Sequence, residues 1–597
     1  MPSPTGTFDA RRAADRTPSR LYSPADAAER RQRYLQLAQQ LKKDRVSGFD
    51  ADWRDLADYI APRRVRFTTS DRNKGGRRDQ KIVDSTARFS ARTLQSGLHA
   101  GLTSPARPWM RLTTPDPDLA EVPNVKAWLH RVTQRMLTVF LQSNLYNTLP
   151  IVYGDMGVFG TAAMAVVTDT HDLMRCYAYP LGSFALGLDR RRLVTSFALE
   201  YQLTVRQIVE SFGLEDDGRT IDWSRISTGV RQQWDRGNYE SAIEVTWVTT
   251  PNLDARPDRP EARYFKWASC HFETGGETEK ILRESGFKTF PILAPRWDIT
   301  GEDTYGTDCP GMTAIGDVRQ LQTMQRKKAT AIQKIIDPPL VGPEALRTQK
   351  TSLLPGDITY VDEREGSAKL RAIHEVNLNL QHLRADIGET QYRIQRAFYE
   401  DLFLMLAQRD AQGSLQPVTA REVEERHEEK LLALGPVLER TNDELLDPLV
   451  DRVYQLMEDA GLIPEVPQEL DGVTLKVEYT SLMAQAQRLV GVVGQDRFLS
   501  TVLPLAQTFP EVRHKVQIFQ AVNDYADMLG IDPRIVVSDE DAKAALAAER
   551  QQQQQFAEAQ QAALLARGAR DAAAAPLGTT EDNALSRLVD NVAGAAT

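Results

Sequence analysis

The chain has 597 residues, more than one hydrophobic core serves, so several domains are expected. Its 41% hydrophobic and 26% charged residues are ordinary for a globular protein, and no apolar run approaches the ~18–20 residues of a membrane span. A net charge of −9 excludes a broad basic coat for nucleic acid but admits DNA as a passenger, since an acidic or mixed wall does not grip a polyanion; solubility alone explains the same charge.

Residues 1–25 are rich in Pro, Ser, Thr and Arg, lack the apolar segment of a secretory signal, and are expected to be a disordered extension. A helix is predicted from Ala27 to about Lys43, with Tyr34, Leu37, Ala38 and Leu41 on one side, and a second from Asp52 to Ile60, ended by Pro62. Arg63–Arg78, RRVRFTTSDRNKGGRR, reads as a solvated basic loop, although its charge suits phosphate. The segment Lys81–Leu112, KIVDSTARFSARTLQSGLHAGLTSPARPWMRL, opens as a helix whose Ala87, Ala91, Leu94, Leu98 and Leu102 recur at spacings of three and four. Ser96, Gly97, Ala100 and Gly101 admit a second backbone, and the helix stops at Ser104-Pro105. Asn124–Leu141 is amphipathic. In Leu149–Val167, LPIVYGDMGVFGTAAMAVV, a helix is expected to end at Gly154, Gly157 and Gly160 before an apolar strand.

Strand patterns follow in AAMAVVT, RCYAYPL and VTSFALEYQ between Thr161 and Tyr201. Thr204 caps a short helix closed by Gly213, and Trp223–Trp234 is a further helical stretch. Residues 241–305 read as a β-rich insertion. From Pro310 to Ile336 one helical run of ~40 Å is predicted, broken at Pro338-Pro339. Its Met312, Ile315, Val318, Leu321 and Met324 step by three, which walks the stripe around the helix. That pattern suits a helix wedged between neighbours in a ring, and equally one buried within a single domain, the commoner case. Its Arg319, Arg326, Lys327, Lys328 and Lys334 suit phosphate, an acidic neighbouring chain or solvent. The longest helix is expected over Glu375–Gln408, ~50 Å, followed by the polar loop Arg409–Pro417. Thr419 with Glu422, and Thr441 with Glu444, read as capping boxes opening two more helices, the second stopped by Gly461. From Asp541 the chain is Ala/Gln-rich, a loosely packed helix or a disordered tail.

Catalytic motifs are absent from the sequence: no GxxxxGK[ST], no GxSxG and no HExxH. The eight histidines are dispersed, and Cys176, Cys270 and Cys309 fit no metal spacing and point to a reducing compartment. No catalytic, cofactor or metal residue is assigned. Scattered carboxylates leave open a metal-dependent DNA-processing enzyme as an alternative.

Three blocks in order, SGLHAGLTSPARPWMRL, LPIVYGDMGVFGTAAMAVV and Val418–Pro464, resemble the head-to-tail connector, or portal, proteins of short-tailed bacterial viruses. The resemblance runs from roughly Arg30 to Tyr525. It implies an α+β, predominantly helical fold of wing, stem, clip and crown, forming a closed ring, usually of twelve copies, around a channel. On that pattern 26–203 and 337–408 are wing, 204–240 and 309–336 stem, and 241–308 clip. Residues 409–418 are then a channel loop, 419–540 wing and crown, and 541–597 a tail that is a barrel or disordered. The loop's Arg409, Asp410, Gln412, Ser414 and Gln416 are the expected DNA contacts, with the five basic residues of 310–336 as stem candidates. The implied partners are further copies, the large terminase subunit, a tail adaptor, the major capsid protein, a scaffolding protein and double-stranded DNA, with no membrane and no cofactor. The implied place is a capsid vertex of the virion, assembled in the host cytoplasm. Another virion component, collar or scaffold, is the second alternative.

Overall fold

Apolar residues at helical spacing draw the N-terminal helices around one core. The computed structural model of the protein describes residues 27–71, 76–169, 171–214, 220–336, 340–341, 371–372, 380–404, 434–481 and 539–573, with positions 502, 522 and 537. They fall in two units, residues 1–487 and 488–597. Within the first, α1 (Ala27–Gly48), α2 (Asp50–Tyr59), α3 (Thr86–Leu102), the short α4 (Pro117–Glu121), α5 (Pro123–Gln142) and α6 (Leu145–Phe159) follow in order, with strand β1 (Met110–Thr113) between α3 and α4. Leu94 and Leu98 of α3 are fully buried, as are Val132, Met136 and Phe140 of α5. The glycines do not act as expected. Helix α6 runs through Gly154 and Gly157 and stops only at Gly160, whose φ of +77° suits a residue without Cβ. Gly157 instead makes room for Leu94, whose Cδ2 would lie 2.5 Å from a Cβ there, and Gly97 makes room for the Phe403 ring rather than for a backbone.

Strands β2 (Met164–Asp169) and β3 (Leu173–Ala178) form a hairpin; β4 (Phe184–Leu188) and β5 (Val194–Thr204) form the next. Thr204 and Gln207 make the capping box of α7 (Val205–Ile208), which passes into a π-helical turn ending at Gly213. Helix α8 is shorter than the sequence suggests, Thr228–Asp235, because the Ser227 hydroxyl caps it at Val230. Strand β6 (Ala242–Pro251) then returns to pair with β5 from Phe197↔Thr249 to Thr204↔Ala242. The two short helical pieces expected between Thr204 and Trp234 thus lie between two paired strands.

With β7 (Trp267–Glu273) and β8 (Arg283–Phe287) the sheet has the antiparallel order β4-β5-β6-β7-β8, while β9 (Ile292–Leu293) joins β2. The β-rich stretch after 241 thus extends a sheet begun at Phe184 and is not a sheet of its own. The reason is burial on both faces. Trp247 of β6 packs into the main core, whereas Val248 meets Cys270, Phe272 and Ala38 of α1 on the opposite side.

Helix α9 (Pro310–Ile336) forms over the full predicted run. Beyond it, β10 (Leu340–Val341) pairs with β11 (Arg371–Ala372). Helix α10 covers Leu380–Ala397, and the single rod expected to Gln408 is interrupted: Phe398 is fully buried and Tyr399 takes φ +54° before helix resumes at Glu400. Residues 434–441 are helical and pass through a π-helical turn, Asn442–Leu446, into α11 (Asp447–Asp459), which ends before Gly461 at φ +68°. Thr441 is no N-cap. It is buried in continuous helix and its hydroxyl donates back to the Val437 carbonyl at 2.7 Å. The Thr419–Glu422 box lies outside the described residues.

Strand β12 (Lys476–Tyr479) pairs with β1, Met110↔Tyr479. Trp109 anchors this junction: fully buried, stacked on Phe140 at 5.6 Å and Tyr479 at 6.4 Å, with its indole N–H donated to Tyr146 at 3.0 Å. In the second unit, α12 (Asp539–Ala573) is a 35-residue helix with Leu546, Phe556, Leu564 and Leu565 exposed.

Candidate functional site

Helix α9 carries the basic residues singled out above, and its first half is rooted in the body. The chain entering it crosses the end of α6 backbone against backbone. A Cβ on Gly306 would lie 2.1 Å from the Gly160 carbonyl oxygen, and one on Gly311 2.1 Å from that of Val158. The Cys309 thiol donates to the same Val158 oxygen at 3.3 Å. Ala314, Val318 and Leu321 are buried, and Met312, Ile315 and Met324 pack on the core's edge, so every member of the three-step stripe touches the body.

A polar collar follows. The Gln322 side chain, 2% exposed, accepts from the Val83 and Asp84 amides at 2.6 and 2.8 Å and donates to the Asp84 carbonyl at 2.9 Å. One Asp84 carboxylate oxygen accepts from the amide and hydroxyl of Thr86 at 2.8 and 2.6 Å. The other accepts from Gln325 of α9 and Gln391 of α10, each at 2.9 Å. Burial pushes the Asp84 pKa up, but the hydrogen bonds from Thr86, Gln325 and Gln391 outweigh it and hold the carboxyl below its ordinary value.

Two of the five basic residues are engaged within the chain. Arg319 pairs with Asp55 of α2 and lies over the Tyr59 ring, and Arg326 donates to the Lys81 carbonyl at 3.1 Å. Lys327, Lys328 and Lys334 pair with no described residue. They share the outer half of the helix with Ile332 and Ile336, the latter 77% exposed. The other candidates, Arg409, Asp410, Gln412, Ser414 and Gln416, lie outside the described residues.

Three arginines of the basic segment 63–78 are engaged within the chain. Arg64 pairs with the buried Asp155, Arg66 donates to the Thr69 carbonyl, and Arg78 pairs with Asp71. Burial raises the Asp155 carboxyl against the pull of Arg64. Local reading also missed buried ion pairs. Arg296, 2% exposed, pairs with Glu444 and donates to the Asp303 and Arg192 carbonyls at 3.1 and 3.2 Å. Arg45 pairs with Asp50 at 2.9 Å and donates to the Phe184 carbonyl at 2.7 Å. Partners 148 residues apart leave no local pattern to read.

His271 is stacked on Trp247 at 5.3 Å; burial, aided by Arg283, pulls its pKa down to about 3, so it is neutral. All three cysteines are buried free thiols, and burial pushes Cys176 and Cys309 up to about 12. Among the described residues no group of three His, Cys, Asp or Glu side chains is placed to hold a metal, and no helix is long and apolar enough to cross a membrane.

Comparison with known proteins adds a family. The model for bacteriophage head to tail connecting proteins matches residues 31–536. The portal protein of Salmonella phage epsilon15 is 42% identical over 570 residues, 95% of this chain and 99% of the relative. A probable portal protein of Bordetella phage BPP-1 is 42% identical over 565 residues, 94% and 98% of the two chains. Among solved structures, a chain from the virion of a native gene transfer agent particle is 11% identical, covering 75% of this chain and 94% of its own, with a TM-score of 0.28.

Proposed function

The chain belongs to the family of bacteriophage head-to-tail connecting proteins, and we propose that it is a phage portal, a ring of identical copies at one capsid vertex through which double-stranded DNA is packaged and ejected. The observation that carries this reading is the 42% identity to a portal protein along 95% of the chain. A ring requires heterologous contacts that close by rotation. The outer half of α9, with Lys327, Lys328 and Lys334 unpaired among the described residues beside exposed Ile332 and Ile336, offers what such a contact needs: apolar area to bury and charge to orient it.

In this reading the ring has twelve copies and a structural, non-enzymatic role. It binds the large terminase subunit and a tail adaptor at one end and the major capsid and scaffolding proteins at its rim. Residues 204–240 and 309–336 supply the stem, 241–308 the clip, and 26–203 with 337–408 the wing. Because the five-stranded sheet spans the 203/241 boundary, wing and clip share it. Residues 409–418 project into the channel toward DNA.

Negative-stain images of the purified protein test the proposal. Closed rings with a central hole and no ATP turnover are expected; single polypeptides at every concentration refute it. Deleting Ala411–Leu415 leaves rings intact and impairs genome packaging or retention, and normal packaging by the deletion removes the channel-loop assignment.

A further inference from the structure

Asp84 stands where three helices meet, and we propose that its carboxylate is a coupling clasp, which joins α9 and α10 to the start of α3 so that a change in the pose of one long helix reaches the other. The carboxylate receives four hydrogen bonds, two at each oxygen, and the donors at one oxygen come from different helices: Gln325 on α9 and Gln391 on α10. The opposite oxygen is occupied by Thr86 at the N-terminal turn of α3. Gln322 grips the backbone at Val83 and Asp84 from α9, so neither the side chain nor the main chain of this joint moves independently of that helix.

An ionised carboxylate only accepts hydrogen bonds, so both glutamines must present their N–H groups to it. The same oxygen therefore dictates the orientation of both amides. Two further features place the coupling here. The Asp317–Arg393 link between α9 and α10, at 3.1 Å, joins a part-buried aspartate to an exposed arginine, and solvent screening weakens it. Beyond the clasp, the described part of α9 has no buried residue, whereas before it Val318 and Leu321 are fixed in the core. Asp84 thus marks the boundary at which α9 leaves the body. The inference uses only contacts within one chain and stands whether or not the portal reading does.

Amide hydrogen exchange on the full-length protein tests it. In Asp84→Asn the side chain keeps its shape but presents an NH2 group in place of one acceptor. Exchange is expected to rise about tenfold in both 322–336 and 380–397, with the sheet of 184–287 unchanged. In Gln325→Leu, which alters only the α9 arm, exchange is expected to rise in 380–397 as well. Three results overturn the proposal: a rise confined to 83–90, which makes Asp84 a helix cap alone; a uniform rise throughout residues 27–481, which makes it a general stability residue; or no response of 380–397 to Gln325→Leu. Should Asp84→Asn not fold, Gln325→Leu and Gln391→Leu each decide the matter by whether exchange rises in the other's helix.

Discussion

Helix α9 is one continuous rod whose two halves live in opposite surroundings. From Pro310 to Gln322 it is held by glycine-to-backbone contacts and buried Ala314, Val318 and Leu321; from Thr323 to Ile336 no described residue is buried. Apolar residues occur in both. In the first half they belong to the chain's own core. In the second, Ile336, 77% exposed, contributes almost nothing to a single copy, and its value lies in what a neighbouring surface does with it. Helical periodicity reports that a face is apolar, and says nothing about whose core it enters.

The sharpest way to break this contrast is Gly311→Val. Its Cβ would meet the Val158 carbonyl oxygen at 2.1 Å, and backbone cannot yield as a side chain can. A loss of more than ~3 kcal/mol, or of soluble protein altogether, is expected. Truncation comes next. Leu321→Ala should cost ~2–5 kcal/mol, because Leu321 is fully buried. Ile336→Ala should change the stability of dissociated subunits by less than ~0.5 kcal/mol. Denaturant midpoints measured side by side decide it, and equal costs would dissolve the distinction between the halves.

Acid should act at the boundary between them. The Asp84 carboxyl is held below its ordinary 3.8, so its contribution is fully present above the unfolded-state value. It is lost as pH falls through the lower folded-state value. Acidification from the unfolded-state value down through the lower folded-state value should therefore raise exchange in 322–336 before the core of α9 responds, while Asp84→Asn removes that step. The smallest effect belongs to Arg319–Asp55. Both groups are about half exposed, and a double-mutant cycle should give no more than ~1 kcal/mol, diminishing with salt.

Much of this architecture was legible in the sequence. Helix α5 was expected over Asn124–Leu141 and covers Pro123–Gln142; α9 was expected and found between Pro310 and Ile336. Long amphipathic segments carry their own periodicity, so local reading suffices. It failed where a distant partner overrules the local pattern. The stretch around Phe398 continues a helical repeat, yet Phe398 is drawn into the core and Tyr399 takes a left-handed conformation. Thr441 and Glu444 have capping-box spacing, but Glu444 is claimed by Arg296. The sheet crosses the expected boundary because β5 finds β6 after an intervening 37 residues, a pairing that no window on the sequence encloses.

Of the proposed site, residue type identified the cations on α9 but not their use. Arg319 and Arg326 spend their charge on Asp55 and a carbonyl, whereas Lys327, Lys328 and Lys334 meet no partner among the described residues. Asp84 escaped notice because its glutamine partners lie 241 and 307 residues away, and glutamine carries no distinctive signal.

The three cysteines bear on chemical endurance. Each is buried and protonated, at Cα positions in separate elements, with Cys176 in β3, Cys270 in β7 and Cys309 just before α9. The thiolate is the form that peroxide or a disulfide attacks, and burial suppresses it while denying reagents access. Such a subunit passes unaltered between reducing and oxidising surroundings, with no cross-link to form on exposure to air and none to break on return.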